Sequence, residues 1–225
     1  MAPELVVALD VPTLQEARRL AALLRPAVRW FKVGLQLFTA AGPAAVEAVR
    51  AEGGMVVLDL KVHDIPHTAA AAVRSAARLG VDALTLHLAG GPAMADAAVA
   101  AARAAGRPRL LGITRLTSEP SGSVDLSRAA AEAAVRAAGL GLDGVVAAVQ
   151  EALAIRAVCP APFLIVAAGI RPAGSDPDDQ VRVATPGEAA RAGCDLIVVG
   201  RPIVRALDPL RVASAIRAEM AGVSV

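Results

Sequence analysis

The sequence predicts a (β/α)₈ barrel, and three observations lead there. Eight short β-rich runs alternate with Ala-rich stretches in which Arg recurs, the order expected of a parallel sheet covered by helices. A length of 225 residues suits one such barrel with a sizeable core. The competing arrangement is an open doubly wound sheet. Neither GxGxxG nor GxxxxGK[ST] occurs, so a dinucleotide or P-loop site has nothing to rest on. No linker interrupts residues 1–225, and one domain is expected.

The elements follow in order. Leu5–Leu9 (LVVAL) is the first strand, with a helix at Leu14–Leu24. Trp30–Gly34 (WFKVG) is the second, followed by a helix at Ala44–Ala51. Met55–Asp59 (MVVLD) leads past Pro66 into a helix at Ala69–Leu79. Ala83–His87, Leu110–Thr114 and Gly144–Ala148 each precede an Ala-rich helical stretch. Phe163–Ala167 is the seventh strand and Leu196–Gly200 the eighth, with Pro209–Met220 as the last helix. Near-continuous apolar runs of this length are what strands buried on both faces require. The segment 171–185, RPAGSDPDDQVRVAT, is the one long irregular piece. A loop of that length in a compact domain is either a functional lid or disordered.

Composition narrows the function. Hydrophobic residues make up 56% of the chain, but they are largely Ala and Val broken by Arg, and no apolar run approaches ~18 residues. The first residues, MAPELVVALD, lack a basic n-region and a cleavage site, so no signal peptide is expected and a cytoplasmic setting is the default. A net charge of +2 with scattered carriers and 2% aromatic residues gives nucleic acid little to bind. Cys159 and Cys194 lack CxxC spacing and read as reduced core thiols. Of 23 basic residues only two, Lys32 and Lys61, are lysines. Lys can give up a proton near neutral pH when its surroundings are tuned, whereas Arg effectively cannot.

In such a barrel the chemistry lies at the C-terminal ends of the strands. There the chain places Asp10, Lys32, Asp59 with Lys61, His87 and Thr114; the sixth strand ends in Ala147-Ala148, and the last two run into Gly169-Ile170-Arg171 and Gly200-Arg201. Asp59 and Lys61 stand at i and i+2, so an extended backbone points both the same way. Lys32 comes from the adjacent strand if strands pair in order. The result is either an alternating carboxylate–ammonium array that does chemistry or an ion-pair network that caps the barrel. Gly169 and Gly200 allow backbone to approach a ligand closely, and Arg201 can fork onto phosphate oxygens. Together the two clusters imply a phosphorylated small molecule with its reacting end near Lys61. His63 and His67 are four apart and could form a metal site with His87, but Pro66 lies between them and a metal conflicts with Lys61 as the acids' counter-ion. No metal is expected.

The motif Asp59-Leu-Lys61-Val-His-Asp64-Ile65-Pro66 resembles the D-x-K-x-x-D-I-P signature of the orotidine 5′-monophosphate decarboxylase family. The resemblance spans the chain: VALD ending at Asp10, FKVG around Lys32, Leu116–Ser118, GIRP at Gly169–Pro172, DQ-x-R at Asp179–Arg182, and Gly200-Arg201. It implies a (β/α)₈ homodimer with composite active sites that decarboxylates orotidine 5′-monophosphate to UMP without metal or cofactor. It implies Lys61 as proton donor to C6, with Lys32, Asp59 and Asp64 completing the charged array. Asp64 and Thr68 would reach into the neighbouring subunit's site, and Ile65 would join the substrate-binding residues. Asp10 and Lys32 would touch ribose hydroxyls, and Thr117 would lie by the pyrimidine. Arg171 maps to a ligand-contacting Arg, with Gly169 beside it, while Gln180, Gly200 and Arg201 would hold the phosphate. The chain departs from the family pattern at His67, at Ala167-Ala168 and at Ala147-Ala148.

Two rivals share the motif or the barrel. Mg²⁺-dependent relatives, 3-keto-L-gulonate 6-phosphate decarboxylase and hexulose phosphate synthase, carry an acidic residue where this chain has Lys32. A non-catalytic nucleotide-phosphate binder would have no need of an amine at position 61.

Overall fold

The computed structural model describes residues 2–115, 125–174 and 181–222. Eight parallel strands close into a barrel in chain order. They are β1 (Glu4–Ala8), β2 (Trp30–Gly34), β3 (Met55–Val62), β4 (Ala83–His87), β5 (Arg109–Ile113), β6 (Gly144–Ala148), β7 (Leu164–Ala168) and β8 (Leu196–Val199). Around them lie α1 (Leu14–Leu24), α2 (Leu35–Ala41), α3 (Ala44–Ala51), α4 (Pro66–Leu79), α5 (Gly91–Ala105), α6 (Leu126–Gly139), α7 (Val149–Val158), α8 (Pro186–Arg191), α9 (Arg201–Val204) and α10 (Pro209–Ala221). Among the described residues no helix is long and apolar enough to cross a membrane.

Strand alternation divides the interior in two. Residues such as Leu5, Val7, Phe31, Val33, Val56 and Leu58 pack outward against the helices. Val6, Trp30, Val57, Leu111, Val166 and Leu196 fill the inside of the barrel. That inner plug is apolar and lies low, so the charged inward residues are left at the upper mouth.

The lower end is secured by three aspartates, each one residue before an even-numbered strand. Asp82 accepts from the Val56 N–H at 2.8 Å, Asp143 from Leu110 at 2.7 Å and Asp195 from Ile165 at 2.7 Å. Each ties the start of one strand to its neighbour and so pins the register.

The structure departs from the expected elements in a few places. α2 was not expected; Gly42, at φ 57°, and Pro43 split one helical stretch into α2 and α3. α4 begins at Pro66, three residues before the expected start, because proline suits the first helical position. β3 runs three residues past Asp59, through an irregularity described below. Cys159 and Cys194 are buried free thiols, and burial pushes the Cys194 thiol up to about 12.

The 171–185 segment has a closed base. Arg171 N–H donates to Ala184 O at 2.9 Å and Ala184 N–H to Gly169 O at 3.2 Å. Thr185 and Glu188 then cap α8 reciprocally, Glu188 N–H to Thr185 Oγ1 at 3.2 Å and Thr185 N–H to Glu188 Oε2 at 2.7 Å. Buried Glu151, at the start of α7, pairs with Arg182 in the returning arm.

Candidate active site

The inward faces of the strands deliver one charged side chain after another to the barrel mouth. Asp10 follows β1, Lys32 lies on β2, and Asp59 and Lys61 lie on β3. Lys32 Nζ stands 3.0 Å from Asp10 Oδ1 and 3.4 Å from Asp59 Oδ2. Lys61 Nζ stands 2.9 Å from both oxygens of Asp59. The order Asp10–Lys32–Asp59–Lys61 is a line of alternating sign. Gly34 is the small residue that permits it: a Cβ there would come within 2.7 Å of both Asp10 Oδ1 and Lys32 Nζ.

Lys61 does not reach Asp59 by plain strand alternation. Leu58 pairs with Leu84 and Val62 with Leu86, so β3 spends two more residues than β4 over the same span. Within that bulge Lys61 has φ 49°, the left-handed region, the one positive φ outside glycine among the described residues. The expected i, i+2 geometry is thus corrected: the two side chains meet because the strand is bent.

Burial alone would raise the carboxyl of Asp59. Lys32 and then Lys61, with hydrogen bonds from Lys61 and Thr85, outweigh it and hold the group below the usual carboxylate range. Burial likewise opposes the charge on Lys32, but Asp59 and Asp10 hold its pKa above the ordinary lysine value. Both groups are therefore charged at neutral pH. The Asp10 side chain is 42% exposed, so its pairing is screened by water more than that of Asp59 at 12%.

The array forms part of the wall of a cavity of about 480 Å³. That size suits a small-molecule ligand. Gly169, Arg171, Gly200 and Arg201, singled out in the sequence, also line it. Gly169 adopts φ 76°, open to glycine at no steric cost. Gln36, Thr85, Arg115 and Arg205 also line it and were not anticipated. Thr85 was legible in principle, since it shares the inward face of β4 with His87. Arg115 and Arg205 lie just beyond strand and helix ends, where no periodicity points them inward. A groove of about 440 Å³ at the opposite end of the barrel is lined by Asp82 and Asp143, which are committed to the strand N–H groups.

Three expected residues stand apart from this cavity. Asp64, Ile65 and Thr68 are all exposed around the start of α4. Asp64 accepts the Ile65 N–H at 2.7 Å, its own N–H meets Met94 Sδ at 3.4 Å, and Ile65 is 66% exposed. Thr117 and Gln180 lie outside the described residues. The rings of His63 and His87 stack with centroids 5.2 Å apart, and His87 Nδ1 accepts the Ala89 N–H at 3.3 Å. Among the described residues no group of three or more His, Cys, Asp or Glu is arranged to hold a metal ion.

Comparison with known proteins finds relatives over nearly the whole chain. Residues 3–216 match the model of the Orotidine 5'-phosphate decarboxylase / HUMPS family. A protein of Moorella thermoacetica named orotidine 5'-phosphate decarboxylase is 48% identical over 231 aligned positions, covering 96% of this chain and 92% of the relative. One of the same name from Anaeromyxobacter sp. (strain K) is 50% identical, covering 94% and 95%. The crystal structure of orotidine 5'-phosphate decarboxylase from Lactobacillus acidophilus matches with a TM-score of 0.82 at 32% identity, over 98% of this chain and 99% of that one.

Proposed function

The chain belongs to the orotidine 5'-phosphate decarboxylase / HUMPS family, and on that premise we infer that it converts orotidine 5′-monophosphate to UMP and CO₂ in de novo pyrimidine biosynthesis. The observation that carries the reading is the alternating charge array in the wall of the cavity. Among the described residues its wall brings the Asp10–Lys32–Asp59–Lys61 array together with Arg171 and Arg201, charges of both signs suited to a ligand bearing both a phosphate and a carboxylate.

Loss of CO₂ from C6 leaves an electron pair in the plane of the pyrimidine ring, where the π-system cannot spread it. Enzymes lower barriers by ~8–23 kcal/mol, and this reaction needs the upper part of that range. Preorganised charge is the available means. The C6–carboxylate bond breaks, its electron pair stays on C6, and the Lys61 ammonium beside it donates a proton there. Lys61 is left as an amine and regains its proton from water. Asp59, at 2.9 Å, keeps the ammonium aimed. Lys32 holds Asp59 from the other side, and Asp10 and Lys32 face the ribose hydroxyls. Gln180, Gly200 and Arg201 take the phosphate, Arg171 with Gly169 beside it contacts the ligand, and Thr117 lies by the pyrimidine. Binding energy from that unreactive end goes into closing the site and drying the reacting one.

No metal or cofactor takes part in this scheme. Both oxygens of Asp59 already receive N–H or O–H donors, which leaves an ammonium where a divalent ion would otherwise bind. The enzyme works as a homodimer in the cytoplasm, with Asp64, Ile65 and Thr68 of each subunit completing the other's site. Their exposure outside the cavity of their own chain supports that arrangement.

The test is to mix the protein with orotidine 5′-monophosphate and follow ultraviolet absorbance with and without EDTA. Turnover that survives EDTA and disappears in Lys61→Ala is expected. A Lys61→Ala dimer that forms UMP at the parent rate would sink the mechanism, and activity lost to EDTA would return the Mg²⁺-dependent alternative.

A further inference from the structure

Thr85, in the middle of β4, is 2% exposed and points into the barrel. Its Oγ1 lies 2.9 Å from the backbone nitrogen of Lys61 and 2.9 Å from Asp59 Oδ1. A threonine hydroxyl has one proton and two acceptor sites. The Lys61 N–H can only donate, and an ionised Asp59 can only accept, so the direction of both bonds is set. The hydroxyl accepts from Lys61 and gives its own proton to Asp59.

This places one atom at the junction of two features. One is the backbone of Lys61 at φ 49° inside the β3 bulge, a conformation that a long side chain does not adopt without support. The other is the carboxylate that receives Lys61 Nζ through both oxygens. Lys61 is thus fixed at both ends through the same partners: its N–H by Thr85, its ammonium by Asp59, and Asp59 in turn by Thr85. β3 and β4 lose their regular ladder over this span, and the Thr85 hydroxyl replaces the missing backbone partner of Lys61.

We propose that Thr85 is a positioning residue for the decarboxylation, holding the bulged backbone of Lys61 and the carboxylate of Asp59 in one geometry so that the ammonium is aimed at the reacting carbon. The proposal rests on the function inferred above, because it needs Lys61 to be the proton donor. It requires no contact between Thr85 and the reacting atoms. The role belongs to the hydroxyl and not to the bulk of the side chain, which a substitution series can separate.

The experiment compares Thr85→Val, Thr85→Ala and Thr85→Ser with the parent enzyme. Val keeps the shape without the hydroxyl, Ala removes both without overpacking, and Ser keeps the hydroxyl alone. Folding is checked by circular dichroism and thermal melting. Turnover is followed on orotidine 5′-monophosphate, and UMP affinity is measured by calorimetry. The expected result is a fall in kcat of roughly 10- to 100-fold for Val and Ala, the scale of a misplaced catalytic group. UMP affinity should hold, since its phosphate contacts lie elsewhere, and Ser should restore most of the rate. Parent-like kcat in a folded Val or Ala variant overturns the proposal. So does a Ser variant as slow as Ala, because bulk would then be what matters. If the parent enzyme itself fails to decarboxylate, the functional reading is at fault and not the role of Thr85.

Discussion

Lys32 Nζ sits between two carboxylates, 3.0 Å from Asp10 and 3.4 Å from Asp59, while Lys61 occupies the other side of Asp59 at 2.9 Å. Asp59 is therefore the hinge of the array, with a cation on each flank. Its removal would leave the two lysines facing each other across a site that is only partly hydrated.

That arrangement makes stability depend on pH in a defined way. The carboxyl of Asp59 is lowered on folding, so its contribution is full above the unfolded value of about 3.9 and is lost as pH falls through the lower folded value. Lys32 is raised, so its contribution is full below about 10.4 and is lost as pH rises through the higher folded value. Asp59→Asn should lower stability at neutral pH by up to about 3–5 kcal/mol, the range for breaking a buried pair from one side. Urea melts at a series of pH values should show the parent's acid-side loss flattened in the variant. An unchanged acid limb would mean that Asp59 is not the group responsible.

Gly34→Ala should damage function more than folding. The new methyl would lie 2.7 Å from the tips of Asp10 and Lys32, and both tips can swing aside at little cost to the fold. Gly34 has φ −99°, which alanine tolerates. The displaced ion pair should lower kcat/KM by roughly 10- to 100-fold with a nearly unchanged Tm. Steady-state kinetics beside a thermal melt checks it, and a parent-like kcat/KM would show that the Asp10–Lys32 spacing is unimportant.

Arg201→Ala should cost about 1.5–3 kcal/mol of UMP affinity, the scale of hydrogen bonds to charged groups. Isothermal calorimetry with UMP and with uridine separates the phosphate from the nucleoside. Binding of uridine should be insensitive to the substitution. Equal losses for both ligands would place Arg201 away from the phosphate.

Composite sites can be tested by mixing inactive proteins. Lys61→Ala and Asp64→Ala should each be crippled alone. After co-refolding, a mixed dimer has one site with neither substitution, made of Lys61 from one subunit and Asp64 from the other, and activity should reappear. Failure of mixed dimers to regain activity, with their formation shown by native mass spectrometry, would put Asp64 in its own subunit's chemistry or outside it.

By itself the sequence determined the barrel, because strand and helix periodicities are local and eight alternations in this length leave little other choice. It also marked Asp10, Lys32, Asp59, Lys61, Gly169, Arg171, Gly200 and Arg201, since polar residues at the ends of apolar runs have nowhere to go but the mouth of the barrel. Tertiary structure alone decided how Lys61 is aimed. The bulge exists because β3 and β4 fall out of register, a mismatch between residues more than twenty apart, and no run within either strand encodes it. The same long-range pairing recruited Thr85, whose place on β4 looks like that of any inward residue until its hydroxyl is found between Lys61 and Asp59. It also set Asp64 and Thr68 on the outer surface at the start of α4, where Pro66 begins a helix that turns the chain away from the cavity. Periodicity determines which way a residue faces, whereas only the pairing of distant strands determines what it meets.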